Sequence, residues 1–295
     1  MTDNIFRQLY KRIPKKYKKQ LKPIYNRLEH LLHKLVKINS INIGGGPGFF
    51  QLGWLNLEEV RSNNNPIPFK LNANCIFPVK NSSINTVYTS HCLEHLNKKT
   101  LHRILNEVFR VIKYNGDLII KIPDYDRALE AWRNNNSDFF QNHLWDFESV
   151  IKTWKSRNVK VCFDNKAAMI FCGFWNDEYG DHFSNQYLNN ETAYHGPPVR
   201  NIGFYRSLIK THTPSEISAE LRKIVVNEEK TYHFNHQNAW SRKELKELLI
   251  SKGFTVKSFD KELIIANFKD VPDISNKRVK SMYCWAGKTS SNKSK

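Results

Sequence analysis

Apolar and polar positions follow two regimes along the chain. From residue 40 to residue 124, short apolar runs alternate with polar turns and one long helical stripe. Residues 40–43 form a brief apolar strand that ends in glycines, and 54–58 read as a second strand. Residues 68–71 are a third, weaker candidate. Residues 86–90 are a fourth, entered through the turn Asn81-Ser82-Ser83. Leu101, Ile104, Leu105, Val108 and Val111 recur at steps of three and four, which predicts an amphipathic helix over 98–112. Asn115-Gly116 then turns the chain into the apolar run 117–122, closed by Pro123-Asp124. Strands separated by helical or loop crossovers imply a parallel sheet.

The second regime covers 125–235. It has no clear period and is rich in Asn and aromatic residues, among them Trp132, Trp145, Trp154, Trp175 and Tyr194. A stretch of this kind reads as an irregular insertion that lines a binding cleft. The α/β rhythm returns at Ser241, which caps a helix with Glu244 three residues later in a capping box. Leu245, Leu248 and Leu249 form its apolar face and Gly253 ends it. Strands are predicted at 254–259 and 280–287, before a polar tail at 289–295.

Ahead of all this lies a basic helical arm, residues 1–38. After Pro23, the residues Ile24, Leu28, Leu31, Leu32 and Leu35 make one helical stripe. Two readings stay open: a helix packed on the rest of the chain, or a basic amphipathic element in peripheral contact with an anionic membrane. Packing is preferred for 24–37.

Composition narrows the classes. The chain has 295 residues, 40% of them hydrophobic, enough for one large domain with an insertion. No apolar run reaches the roughly 18 residues needed to span a bilayer, and no secretory signal opens the chain. The five cysteines are scattered and form no CxxC pair, so a disulfide framework and structural zinc are both disfavoured and a cytoplasmic setting is expected. The formal charge of +18 looks at first like a nucleic-acid signal. Residues 1–38, however, hold eleven Lys and Arg against Asp3 and Glu29, so half the excess sits in the arm. Nucleic acid is therefore disfavoured as a partner.

Candidate chemistry begins at Asn42-Ile43-Gly44-Gly45-Gly46-Pro47-Gly48. Glycines after a strand let the backbone turn sharply and let a ligand approach with no Cβ in the way. Open parallel sheets bind ligands at the carboxyl ends of their strands. A pyrophosphate-binding loop would open a long helix, and here residues 54–58 follow too soon for one.

The pattern Asn42-x-Gly44-x-Gly46-x-Gly48 resembles the first motif of class I S-adenosylmethionine-dependent methyltransferases, written Asp/Glu-x-Gly-x-Gly-x-Gly. The resemblance continues in order. Gly53-Trp54-Leu55-Asn56-Leu57-Glu58 is similar to the segment whose acidic residue ends the second strand. Asn72-Ala73-Asn74-Cys75-Ile76-Phe77-Pro78 is similar to the family's D-A/L-x-x-x-L-P stretch. Thr86-Val87-Tyr88-Thr89-Ser90-His91-Cys92-Leu93-Glu94-His95 resembles D-V-V-Y-S-S-H-V-L-E-H, and Glu107-Val108-Phe109-Arg110-Val111-Ile112-Lys113 resembles E-x-x-R-V-L-K. The group suggested is the type 11 methyltransferase-like set. It implies a Rossmann-like, mostly parallel seven-stranded sheet over 39–295 carrying the insertion 125–235, and S-adenosyl-L-methionine as cofactor.

It also implies roles. Gly44, Gly45 and Gly46 would face the methionine moiety, and Glu58 would accept from the ribose hydroxyls. Asn72, with Ala73 beside it, would meet the adenine amino group. Ser90 and His91 would sit beneath the adenosine and the donor sulfur. Asn42 stands where the family has an acid that helps hold the ammonium group; losing that charge weakens such a hydrogen bond by about 1 kcal/mol.

An alcohol acceptor needs its proton removed, and a positioned histidine suits that task. His91, His182 and His195 are the candidates; His195 precedes Gly196-Pro197-Pro198 on a rigid loop. The spacing of His182, His195, His212, His233 and His236 forms no compact metal motif, so no metal is expected. The resemblance, whose family is often met in cell-surface glycan and small-molecule pathways, together with the aromatic insertion implies O-methylation of a sugar, glycan or related small-molecule acceptor, as in polysaccharide biosynthesis. A methyltransferase-like binding or scaffold protein without turnover is the alternative.

Overall fold

The structure, a computed structural model, describes residues 37–46, 48–49, 51–61, 68–140, 163–173, 202–223, 236–271, 274–275 and 280–289. Six strands form one sheet: β1 (Ser40–Ile43), β2 (Trp54–Leu57), β3 (Ile84–Ser90), β4 (Ile112–Pro123), β5 (Thr255–Ser258) and β6 (Ser281–Gly287), in the order β2-β1-β3-β4-β6-β5. The pairs β1–β2, β1–β3 and β3–β4 are parallel, and β6 runs antiparallel to both β4 and β5. The mostly parallel, Rossmann-like sheet is as expected, but among the described residues it has six strands, not seven. Residues 68–71 form no strand; their amides bond instead to Glu58 and Glu59, which follow β2. Phe69 N donates to the Glu58 carbonyl at 2.8 Å and Leu71 N to Oε1 of Glu59 at 2.8 Å.

Helix α1 (Lys98–Val111) follows the predicted stripe: Leu101, Ile104, Leu105, Val108 and Val111 are all buried, and Asn97 caps the first turn by accepting from Thr100 N. Asn115, at the predicted turn, adopts φ +61°. Here the chain stays in β4, with a register shift against β3. In α6 (Arg242–Ser251) the capping box forms as expected, Glu244 N donating to Ser241 Oγ at 3.1 Å and Ser241 N to Glu244 Oε2 at 2.7 Å.

The span 125–235 departs from its reading as irregular. Where described, it holds four helices: α2 (Tyr125–Arg133), α3 (Phe163–Cys172), α4 (Ile202–Thr211) and α5 (Pro214–Arg222). Trp132 lines no cleft. It is fully buried, its ring 5.6 Å from that of Phe171 and 5.9 Å from that of Tyr205, and its indole N–H donates to Asp164 at 2.8 Å. These helices share one continuous apolar core with the sheet. Helix α7 (Lys261–Asn267) packs on the other face, beside Tyr283 and Trp54. No described helix is long and apolar enough to cross a membrane. The arm falls outside the described residues up to residue 36.

One ion pair fastens the loop after residue 76 to α1. Glu107, 3% exposed, accepts from Phe77 N at 2.8 Å and from two guanidinium nitrogens of Arg110, at 3.0 and 2.6 Å. Arg110 also donates to the carbonyls of Phe77 and Val79. Arg110→Ala removes the nearer of two guanidinium groups from a buried carboxylate and leaves it only Arg103, whose Nη2 lies 3.6 Å from Oε1. It is expected to cost about 2–4 kcal/mol in urea unfolding. Burial raises the Glu107 carboxyl, but the Arg110 and Phe77 hydrogen bonds outweigh it and hold the pKa below its ordinary 4.5. A lowered native pKa stabilises above the unfolded value and loses that contribution as pH falls. The gap between wild type and Arg110→Ala should therefore shrink below about pH 4.5.

Candidate functional site

The carboxyl ends of β1, β2 and β3 meet at one edge of the sheet. Gly44 leaves β1 with φ +66° and Gly46 follows at φ +74°, both in the left-handed region that favours glycine. Gly44 N donates to the Leu57 carbonyl at 2.9 Å. Gly46 N donates to Oε2 of Glu58 at 2.8 Å, and Asn56 Nδ2 donates to the Gly46 carbonyl at 3.1 Å. The loop is thus clamped to the end of β2. The second carboxylate oxygen of Glu58 accepts from Val60 N at 2.9 Å.

Gly45 sits over the paired residues Asn42 and Asn56. A Cβ there would lie 2.2 Å from Asn42 Nδ2 and 2.6 Å from Asn56 Oδ1. The Oδ1 atoms of both asparagines are buried and, among the described residues, accept no hydrogen bond. A buried acceptor without a donor is costly, so the pair suits a ligand that brings N–H groups. A Cβ on Gly46 would meet nothing within 4 Å, which leaves the outer side of the loop open.

Asn72, half-buried, uses its side-chain oxygen to accept from Asn74 N at 2.8 Å in an Asx turn, and Ala73 is exposed. Any contact from Asn72 to a ligand would share that oxygen or use its amide nitrogen.

The other wall is the end of β3. Ser90 pairs with Lys121 of β4, and His91 N donates to the Lys121 carbonyl at 2.8 Å. His91 has φ +49°, in the left-handed region uncommon for a residue with a Cβ. Its Nε2 lies 2.9 Å from Ser281 Oγ and its Nδ1 lies 3.2 Å from Oε1 of Glu94. Cys92 then packs under the glycine loop, and burial pushes its thiol pKa up.

Behind His91, folding joins what sequence spacing keeps apart. Gln237 N and Asn238 N both donate to the Glu94 carbonyl, and Asn238 Nδ2 donates to the Leu96 carbonyl. These bonds seat His236 against His95, with ring centroids 4.7 Å apart. Burial raises the Glu94 carboxyl, but the His91 contact and the fields of His91, His95 and His236 hold its pKa down to about 2. Burial, with His95 next, pushes His236 down to about 3.

Of the predicted residues, Asn42, Gly44, Gly45, Gly46, Glu58, Ser90 and His91 gather at this edge, with Asn72 and Ala73 in the segment after β2. His182 and His195 lie outside the described residues. Sequence reasoning missed Asn56 and Ser281, and it considered His236 only for its place near the Ser241 helix and its lack of a compact metal spacing. Asn56 was within reach, because it is two residues from Glu58 and opposite Asn42 in any parallel pairing of the two strands.

A family of proteins described as "Methyltransferase domain" matches residues 54–120. No curated protein matches the sequence. Several solved structures are similar to the chain at low identity. An S-adenosylmethionine-dependent methyltransferase from Mesorhizobium loti has 13% identity and a TM-score of 0.36, covering 90% of this chain and 97% of that one. An S-adenosylmethionine-dependent methyltransferase from Thermotoga maritima has 14% identity and a TM-score of 0.36, covering 92% and 97%. PKMT2 from Rickettsia typhi, solved with S-adenosylhomocysteine, has 10% identity and a TM-score of 0.36, covering 90% and 52%.

Proposed function

We propose that the chain is a class I S-adenosylmethionine-dependent methyltransferase, a reading supported by the methyltransferase-domain match over residues 54–120, and that it methylates a hydroxyl of a sugar, glycan or related small-molecule acceptor. The observation that carries the reading is the glycine cradle. Its backbone is clamped by Glu58, its floor is two buried asparagine acceptors, and its outer side is open.

When bound, S-adenosylmethionine supplies an electrophilic methyl on a sulfonium, so the protein's tasks are to align the acceptor and exclude water. The Oδ1 atoms of Asn42 and Asn56 would accept from the ammonium group, and Glu58 from the ribose hydroxyls. His91 stands at the adjoining strand end. With the Glu94 carboxylate 3.2 Å from Nδ1, a proton on that nitrogen would leave Nε2, 2.9 Å from Ser281 Oγ, to accept from a hydroxyl. His91 would take the acceptor proton as its oxygen meets the methyl carbon.

Calorimetric titration with S-adenosylmethionine and S-adenosylhomocysteine is the direct test, with saturable binding tighter than about millimolar expected. A labelled-methyl assay over nucleotide sugars, oligosaccharides, RNA and DNA should show incorporation into the sugars alone. Absence of cofactor binding would leave a fold retained for scaffolding. Label in RNA or DNA would overturn the acceptor class.

A further inference from the structure

Glu94 is fully buried, and among the described residues its carboxylate is approached closely only by His91, whose Nδ1 lies 3.2 Å from Oε1, while Oε2 has no hydrogen-bond partner. A buried carboxylate in that condition calls for a cation. Facing it are His95, the next residue, and His236, brought from the far side of the insertion. One ligand atom each from Glu94, His95 and His236 lie within 4.8 Å of one another. Nitrogen and oxygen ligands at about 2.0–2.2 Å from an ion stand about 3–4 Å apart, so small side-chain rotations would close the three on a metal.

The surroundings are those of a prepared ligand. His236 directs Nδ1 at the Ile170 carbonyl, 2.8 Å away, with the Tyr125 hydroxyl 3.3 Å from the same nitrogen. A carbonyl can only accept, so the proton sits on Nδ1 and the Nε2 lone pair is left for an ion. Such outer hydrogen bonds are how metal-binding histidines are oriented. The backbone bonds from Gln237 and Asn238 to the Glu94 carbonyl hold the two segments in place without using any of these side-chain atoms.

We propose that Glu94, His95 and His236 form a site for a divalent transition-metal ion, with two nitrogen ligands, one carboxylate and open positions for water or an acceptor oxygen. The donor set selects Zn²⁺ or Mn²⁺ over Ca²⁺, which takes six to eight oxygens. Nothing in this assignment depends on methyl transfer.

The full chain, stripped with chelator, would be titrated with ZnCl₂, MnCl₂ and CaCl₂ and its retained metal measured by plasma mass spectrometry after dialysis. One Zn²⁺ or Mn²⁺ per chain and no retained Ca²⁺ are expected. His236→Gln should weaken binding at least tenfold, and Glu94→Gln more. Because Glu94→Gln could disturb folding, Co²⁺ substitution into wild-type protein provides a second readout: its visible spectrum should report nitrogen and oxygen ligation without thiolate. Sub-stoichiometric retention, equal affinity in His236→Gln, or a thiolate-type Co²⁺ spectrum would each overturn the site. Cofactor calorimetry on the same metal-free protein separates failure of this site from failure of the methyltransferase reading.

Discussion

Gly44→Val is expected to weaken S-adenosylhomocysteine binding by at least a hundredfold, about 2.7 kcal/mol, in a folded protein. Two independent costs act at this position. The backbone sits at φ +66°, where a β-branched residue is strained. A Cβ would also lie 2.5 Å from Cys92 Sγ and 2.7 Å from Cys92 Cβ. Cys92 cannot yield easily, since it is buried in the turn that also carries His91 and Glu94. The chain must therefore move at residue 44, and the Gly44–Leu57 hydrogen bond that sets the loop height goes with it. Gly48→Ala is the matched control, because its Cβ meets nothing within 4 Å. Calorimetry should show near-native affinity for Gly48→Ala and a collapsed one for Gly44→Val, with circular dichroism unchanged in both. Native affinity in Gly44→Val would remove the loop from the cofactor site.

Local signals made much of this edge legible. Glycines at the end of an apolar run, the stripe in α1 and the Ser241–Glu244 box are decided within a few residues, and each formed as read. Features decided across the fold were not legible. Helix α3 is buried at Asp164 and at every position from Ala167 to Cys172. A helix wrapped in core shows no amphipathic period, so the span read as irregular. The capping box of α5, Thr213 with Glu216 behind Pro214, was a local signal left unused. The seventh strand is a different case: residues 68–71 have strand composition, but their amides bond to the carboxylate of Glu59 and the carbonyl of Glu58. His236 had no spacing relation to Glu94 that a sequence could reveal. The docking of Gln237 and Asn238 onto the Glu94 carbonyl, with the bonds from His236 to the Cys172 and Ile170 carbonyls, places it there.

The second large effect concerns the end of β3. His91→Asn is expected to lower kcat for a hydroxyl acceptor by roughly 100- to 10,000-fold, the usual contribution of a general base, while S-adenosylhomocysteine affinity stays within about threefold. Asparagine is the informative replacement because position 91 has φ +49° and asparagine tolerates the left-handed region better than most residues. Alanine would mix lost chemistry with backbone strain. Asparagine also keeps a polar group near Ser281 Oγ and Glu94, so the turn and its contacts should survive. A purely structural His91 would lower stability and cofactor affinity together; a base would lower kcat with little change in either. An acceptor whose oxygen is already ionised at the assay pH should regain most of the lost rate in His91→Asn, because it no longer needs a proton taken from it. A kcat loss below about threefold, or equal losses for neutral and ionised acceptors, would move the proton transfer elsewhere. The next candidates would then be His182 and His195.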